Sequence, residues 1–559
     1  MRAVLAFTSL ANPTYVPLGI ASLSAYIKAS KQDIELYSVD LNVATWNRLI
    51  DLKKEYLPFR QFMRGEQGCF YDQMQYRTHQ IAWKQLVALL EQYNLEARFY
   101  LERETLTAEL QRLLNFQSSL ILANEPELIG FSVMYPKQII NTLALAKYLN
   151  SINSGPAGFN RQTAKPKIVL GGAMISALQA EDILYTCPFV DAVFDGEGET
   201  GLKMLCEGRK FSEIPGLVYR VTGGVLRNRK TDTISLTRLP LPEFTELNID
   251  MYLNPEPVVP VVFSRGCKWR KCRFCAHNLS YSGYRKRNTV HLVEYLSKLR
   301  RERGVRHFYF ADQYIDAVDM KSLADEIVNN DLDIFYHIMG RPTDDYNPEV
   351  LQTLFKSGCR WISWGIESGS QRLLDICRKG TYVETIRKIV KDSSDAGISN
   401  LLMLIFGLPT SREDDLNATI NLLDDLDEAV DAVTNSNFQL FDRTAFAAQA
   451  KMFGINVTGR ERLLSCKNGS LYSNRLFYQE KSSDGTMRPP PGPLEIERVE
   501  RRRLWMGQPS IFDDICCEHY LLYMAHLKGN NPNRIPFNDY QSPVLTAGQD
   551  RKDSELKYG

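Results

Sequence analysis

The sequence predicts an α/β protein: an amino-terminal Rossmann-like doubly wound domain, then a partial (β/α)6 barrel, then a mostly helical carboxy-terminal extension. Three observations carry that reading. Strand-like and helix-like segments alternate from residue 1 to about 215 and resume alternating from 258 to about 441, as in parallel sheets with crossover helices. Several strands of the first unit end in glycine pairs or Asn-Pro and Tyr-Pro turns, at the sheet edge where open parallel sheets bind ligands. The chain of 559 residues also has room for two to four domains at about 150 residues each.

In the first unit, residues 1–215, the expected strands are RAVLAF (2–7), DIELYSVD (33–40), ELIGFSVM (127–134), KIVLGG (167–172) and DAVFDGEG (191–198). Gly171, Gly172, Gly196 and Gly198, with Glu197 between the last two, follow the fourth and fifth strands. Their coincidence at one edge reads as a cofactor-binding site. An insertion at about 43–118, with helical spacing in WKQLVALLEQYNLEARFYLERETLTAELQRLL, is too long for a loop and reads as two or three helices. SINSGPAGFNRQTAKPK (151–167) reads as an exposed loop, and 216–250 as a hairpin turned at Gly223-Gly224 followed by the linker TRLPLPEF.

The second unit, 251–441, offers VVPVVFSRG, HFYFADQ, DIFYHIMG, WISWGIES, NLLMLIFGLP and AVTNSNFQLF as six strands. A barrel of this kind works at the carboxyl ends of its strands. Cys267, Asp312, His337, Glu367 and the Gly407–Pro409 turn fall there. In the extension, 442–559, KMFGINVTGRERL and EIERVERRRLW read as helical, FDDICCEHYLLYMAHL as a helix over the barrel mouth, and the tail after about 542 as disordered.

Composition narrows the function classes. With 67 basic and 66 acidic residues the net charge is +1, which argues against a dedicated nucleic-acid surface. The start MRAVLAFTSLANP reads as a first strand rather than a secretion signal, and no stretch reaches the roughly 18 apolar residues of a membrane span. Eight of the eleven cysteines are scattered without a framework, as in a reduced cytoplasmic protein.

The other three, Cys267, Cys272 and Cys275, stand together in SRGCKWRKCRFCAHN. A structural zinc site wants four closed ligands, whereas an iron-sulfur cluster held by three cysteines keeps one iron open to bind a reactant. His277 offers a Cys3His zinc set and hence a zinc-stabilised binding module as the alternative from another class. Convergence of the run with other polar residues at the barrel edge favours the cluster.

The cysteine run with Phe274 before its last thiol, WGIESGSQRLLDICRKG (364–380) and FGLPTSREDD (406–415) resemble the barrel of radical S-adenosylmethionine enzymes. VPLGIASLSAYI, GFSVMYP, GGAM and DGEGE resemble the cobalamin-binding domain that many of them carry, so the likeness covers roughly residues 1–430. It implies a 4Fe-4S cluster on Cys267, Cys272 and Cys275, S-adenosylmethionine chelated by the open iron and cleaved to a deoxyadenosyl radical, and methylcobalamin delivering a methyl group to carbon. It further implies adenine against Phe274, contacts from Asp312 and Glu367 to S-adenosylmethionine, Tyr135 near cobalt, and cobalamin along Gly171, Gly172, Gly196, Glu197 and Gly198. An external electron donor such as flavodoxin or ferredoxin and a small-molecule or peptide substrate follow, with no nucleic acid or membrane as partner. A cyclase or rearrangement enzyme using the same cofactors is the nearer alternative. Two departures stand out. Four residues, Lys268–Lys271, separate the first two cysteines where three are usual, and no histidine precedes His79, so cobalt is expected without a protein imidazole below it.

Overall fold

The computed structural model describes residues 1–529 apart from 31–32, 67, 153–164, 231–232, 278–280, 282, 482–484 and 506–514. Most of the expected loop at 151–167, the first three residues of FDDICCEHYLLYMAHL and the tail after 542 lie outside the described residues.

The apolar strands of the first unit form one seven-stranded sheet. It comprises β1 (Arg2–Phe7), β2 (Glu35–Asp40), β3 (Leu128–Ser132), β4 (Lys167–Gly171), β5 (Ala192–Phe194), β6 (Leu217–Val221) and β7 (Gly224–Arg227), in the order β2-β1-β3-β4-β5-β6-β7. The first five strands are parallel, and β6 and β7 close the edge as the antiparallel hairpin expected from Gly223-Gly224. β1 and β3 are central and buried on both faces, which explains their unbroken apolar runs. With β1 feeding both neighbours, the topological switch lies between β1 and β3, the place such sheets use for ligands.

Six parallel strands make the second unit. β8 (Val258–Val261) is followed by the short β9 (Ser264–Arg265) and β10 (Arg285–Lys286), then by β11 (His307–Phe310), β12 (Phe335–Gly340), β13 (Cys359–Glu367), β14 (Ser399–Phe406) and β15 (Ala432–Asn437). Their order, β8-β11-β12-β13-β14-β15, is sequential, which is a partial barrel. Alternation sorts the side chains: Phe308, Tyr336, Ile362, Trp364 and Leu402 join one core with the surrounding helices, while Trp361 and Leu401 point the other way. His337 follows the second set, lying 4.4 Å from the Tyr309 ring and 3.8 Å from that of Trp361. It is fully buried, its Nε2 3.0 Å from Ser363 Oγ, and burial holds its imidazole well below the usual range. His337 is thus a core residue.

Three segments differ from expectation. The insertion forms four helices, Leu41–Leu52, Leu57–Met63, Gln73–Arg103 and Ala108–Leu122; the short second one, with Pro58 in its first turn, has too few residues to show a period. KMFGINVTGRERL is not a helix. After a short 3-10 turn it enters a long hairpin, β17 (Ile455–Cys466) with β18 (Gly469–Lys481), flanked by β16 (Leu440–Phe441) and β19 (Met487–Arg488). Gly454 in the left-handed region ends the turn and the β-branched Ile455, Val457 and Thr458 favour strand. The helix Cys517–Lys528 does not cap the mouth: Tyr520, Leu521 and Met524 pack with Val258, Trp361 and Leu401, filling the barrel beside the starts of its strands. Trp46, Phe62 and Tyr76 from the insertion join the same cluster, so the insertion and the helix Cys517–Lys528 pack together against the barrel.

Candidate functional site

The cysteine loop is anchored before it begins. Asp312, two residues past β11, accepts hydrogen bonds from Phe263 N (3.0 Å), Ser264 N (2.5 Å) and Ser264 Oγ (2.6 Å). Burial pushes its carboxyl up to about 6 although those bonds act the other way. Both oxygens are engaged, so Asp312 holds the base of the loop. Gly266 follows with φ 86°, and a Cβ there would stand 2.0 Å from Gly283 O; glycine is required by that approach. Cys267, Cys272 and Cys275 come next, all partly exposed, with Cys275 N donating to Cys272 O at 3.3 Å. Arg270, at φ 50°, sits in the four-residue spacing where the backbone takes up its extra residue.

Beyond the loop, Arg273 N donates to Cys377 O at 2.9 Å and Arg273 Nη1 to Ile376 O at 2.5 Å, joining it to the helix Gln371–Ile376 after β13. Phe274 packs with Leu373, Cys377, Leu408 and Phe446. Burial raises the Cys272 thiol to about 11; the charges of Cys275, Glu367 and Cys267 add to that and Lys379 opposes it. Three thiols and the barrel edge therefore meet in one place. Among the described residues no group of three or more His, Cys, Asp or Glu is arranged to hold a single metal ion, and His277 is exposed.

Glu367 closes β13 in the left-handed region, at φ 63° and beside a register shift, a strained position for a residue with a side chain. Its Oε1 meets Lys379 Nζ at 2.5 Å, both side chains buried. The Gly407–Pro409 turn after β14 is held from the extension: Glu495, on the helix Gly492–Trp505, accepts from Gly407 N and Ser411 Oγ, each at 2.7 Å. Leu408 of that turn reaches the Phe274 cluster.

A cleft of about 1370 Å³, open mouth included, separates this edge from the carboxyl ends of β1, β3, β4 and β5. Gly130, Gly171, Gly172, Gly196, Glu197 and Gly198 line it from the first unit, Val262, Arg265 and Ala311 from the barrel, and no histidine is among its walls. A Cβ on Gly171 would come no nearer than 3.7 Å to Phe194, and one on Gly198 no nearer than 3.7 Å to Leu23, so these positions leave a bare backbone wall where side chains would fit. Gly172 differs: at φ 106° its Cβ would lie 2.4 Å from Val133 O, so the fold itself demands glycine. The cleft's apolar floor, glycine wall and switch-point location fit a flat tetrapyrrole with no imidazole beneath it.

Glu197 is turned to ion pairing, meeting Arg265 Nη1 at 3.1 Å and Arg285 Nη2 at 2.5 Å; Glu199 meets Arg265 Nη2 at 2.7 Å. These pairs join the Gly196–Glu199 loop to a residue two positions before Cys267. Tyr15 lines the cleft, and Tyr135, which is not among the lining residues, leans on it from behind with ring centroids 5.9 Å apart. Arg265, Arg285, Glu199, Lys379, Tyr15 and Glu495 were not legible as site residues. Arg265 stands in the cysteine run and Lys379 in the Arg378-Lys379-Gly380 stretch after β13, but their partners lie elsewhere in the sequence.

Residues 261–423 match the Radical SAM superfamily, and the barrel is a radical SAM domain. A radical SAM domain implies a 4Fe-4S cluster and S-adenosylmethionine at this barrel. Its whole fold is similar to that of the cobalamin-dependent S-adenosylmethionine radical enzyme OxsB, at TM-score 0.60 and 16% identity over 90% of this chain and 66% of that one. An uncharacterized methyltransferase of Pyrococcus horikoshii is 28% identical over 54% of this chain and 65% of its own length. The anaerobic magnesium-protoporphyrin IX monomethyl ester cyclase of Rubrivivax gelatinosus is 26% identical over 54% of each. The match thus spans between half and two thirds of these relatives.

Proposed function

We propose that the protein is a cobalamin-dependent radical SAM methyltransferase acting at an unactivated carbon of a peptide or other natural product. Residues 1–215 would hold cobalamin, 251–441 would hold the cluster and S-adenosylmethionine, and the extension after 442 would buttress the barrel. The observation that supports this reading most is the cleft lined by the glycine wall of the first sheet on one side and by Val262, Arg265 and Ala311 of the barrel on the other, with Arg265 two residues before Cys267. When bound, the cluster and S-adenosylmethionine supply a radical that removes hydrogen, and methylcobalamin supplies the methyl group.

The chain's own residues position and shield. Cys267, Cys272 and Cys275 would ligate iron, with Asp312 fixing their loop and Phe274 flanking S-adenosylmethionine. Glu367 pairs with Lys379 through Oε1, and its Oε2 is a candidate acceptor for S-adenosylmethionine. Gly171, Gly196 and Gly198 would admit the corrin face, while Glu197 with Arg265 and Arg285 would hold the two units in register and Tyr135 with Tyr15 would border the cobalt side.

Methyl-labelled S-adenosylmethionine tests the reading against a panel of candidate peptides and pathway intermediates. Labelled product, with S-adenosylhomocysteine and 5′-deoxyadenosine formed together, is the expected outcome. The cyclase of Rubrivivax gelatinosus supports a second reading, cyclisation or rearrangement. Substrate-dependent 5′-deoxyadenosine and altered product without label would favour it.

A further inference from the structure

Resting on the reading of the barrel as a radical SAM domain reduced from outside, we propose that the Lys268–Lys271 segment and the adjoining Arg378 form the docking face for an acidic one-electron carrier protein. The departure from three-residue cysteine spacing has a structural consequence. Trp269 stands over Gly380, where a Cβ would lie 2.1 Å from the indole, and donates Nε1–H to Arg378 O at 2.8 Å. Lys271 Nζ lies 4.7 Å and Arg341 Cζ 4.5 Å from the ring centroid, within reach of cation–π attraction.

Among the described ion pairs none includes Lys271, Arg273, Arg341 or Arg378. Nearby carboxylates are engaged: Asp316 and Asp319 by Lys268, and Asp375 by Gln371 Nε2. Lys271 and Arg378 are exposed. In a chain with net charge +1 this is a local concentration, not an overall bias. A half-exposed tryptophan with Lys271 and Arg341 against its ring has the composition of an interface anchor with a charged rim, and charge complementarity selects a negative partner. Lys271 and Arg341 meet at one aromatic side chain instead of running as a stripe along a groove, which favours a protein over a nucleic acid. The segment also lies between two of the three thiols, so a carrier seated there is next to the cluster loop. In the transfer one electron leaves the reduced carrier for the cluster, the carrier is left one-electron oxidised, and no bond or proton moves.

The test uses the full chain with its cluster reconstituted, a flavodoxin and a ferredoxin of net negative charge as probes, and dithionite as the small-molecule control. Lys271→Glu with Arg378→Glu should raise the carrier Kd about tenfold or more at low ionic strength and slow carrier-driven reduction in proportion. Iron content and dithionite-driven S-adenosylmethionine cleavage should be unchanged. Arg378→Gln should have a smaller effect and Arg378→Lys should restore binding. Carriers that bind and reduce the charge-reversed protein as well as the wild type would overturn the proposal, as would a transfer RNA whose salt-sensitive binding alone is lost. A wild-type protein that takes up no iron would instead sink the underlying reading, visibly before any carrier is added.

Discussion

Asp312 and the paired glycines show how far single residues separate fold from function. Asp312→Ala removes three hydrogen bonds at the base of the cysteine loop and should cost about 1–3 kcal/mol for the donors left buried, with iron uptake falling too. The pH dependence has a definite sign. The folded carboxyl, raised to about 6, keeps its proton while the unfolded one has released it, so the wild type loses stability relative to the alanine variant as pH rises from about 4 to 6. The cost of Asp312→Ala should therefore shrink across that window, by about 3 kcal/mol at most, and level off above it; denaturant midpoints of both proteins from pH 4 to 7 would show this. Gly172→Ala should lower soluble yield sharply, since its Cβ meets Val133 backbone. Gly171→Leu should fold and fill the cleft, abolishing cobalamin uptake in a spectrophotometric titration. Comparable uptake by wild type and Gly171→Leu would remove that wall from the site.

Among the elements, the cysteine loop and the helix Gly492–Trp505 carry opposite lessons about legibility. The thiols, the strand ends and the alternation of both sheets were readable because each is a local pattern: short spacings, period two, glycine at turns. Glu495 was not, because nothing near it points to the Gly407–Ser411 turn it holds from 84 or more residues away. The hairpin β17–β18 was misread for a related reason: the stretch before it looks helical until Gly454 ends the turn. Replacing Cys267, Cys272 and Cys275 together with alanine should lower iron from about four per chain to background, whereas Cys187→Ala and Cys206→Ala should keep it. Glu495→Ala should leave iron intact and weaken S-adenosylmethionine binding several-fold, measured by calorimetry on the reconstituted protein. Unchanged affinity would confine the extension to buttressing the barrel.

At the scale of the whole molecule, the glycine wall of the first sheet and the barrel residues Val262, Arg265 and Ala311 line one cleft, with Arg265 two residues before the first of the three thiols. The ion pairs from Glu197 and Glu199 to Arg265 and Arg285 tie those walls together, and the insertion and the helix Cys517–Lys528 pack together against the barrel. Among the described residues no helix is long and apolar enough to cross a membrane. Among the described residues no histidine lines the cleft, so electron paramagnetic resonance of cob(II)alamin bound to the full chain tests for a free lower cobalt face. Tight uptake and a cob(II)alamin signal without nitrogen superhyperfine splitting are expected. A nitrogen-split signal, or no uptake by protein that carries its cluster, would contradict that expectation.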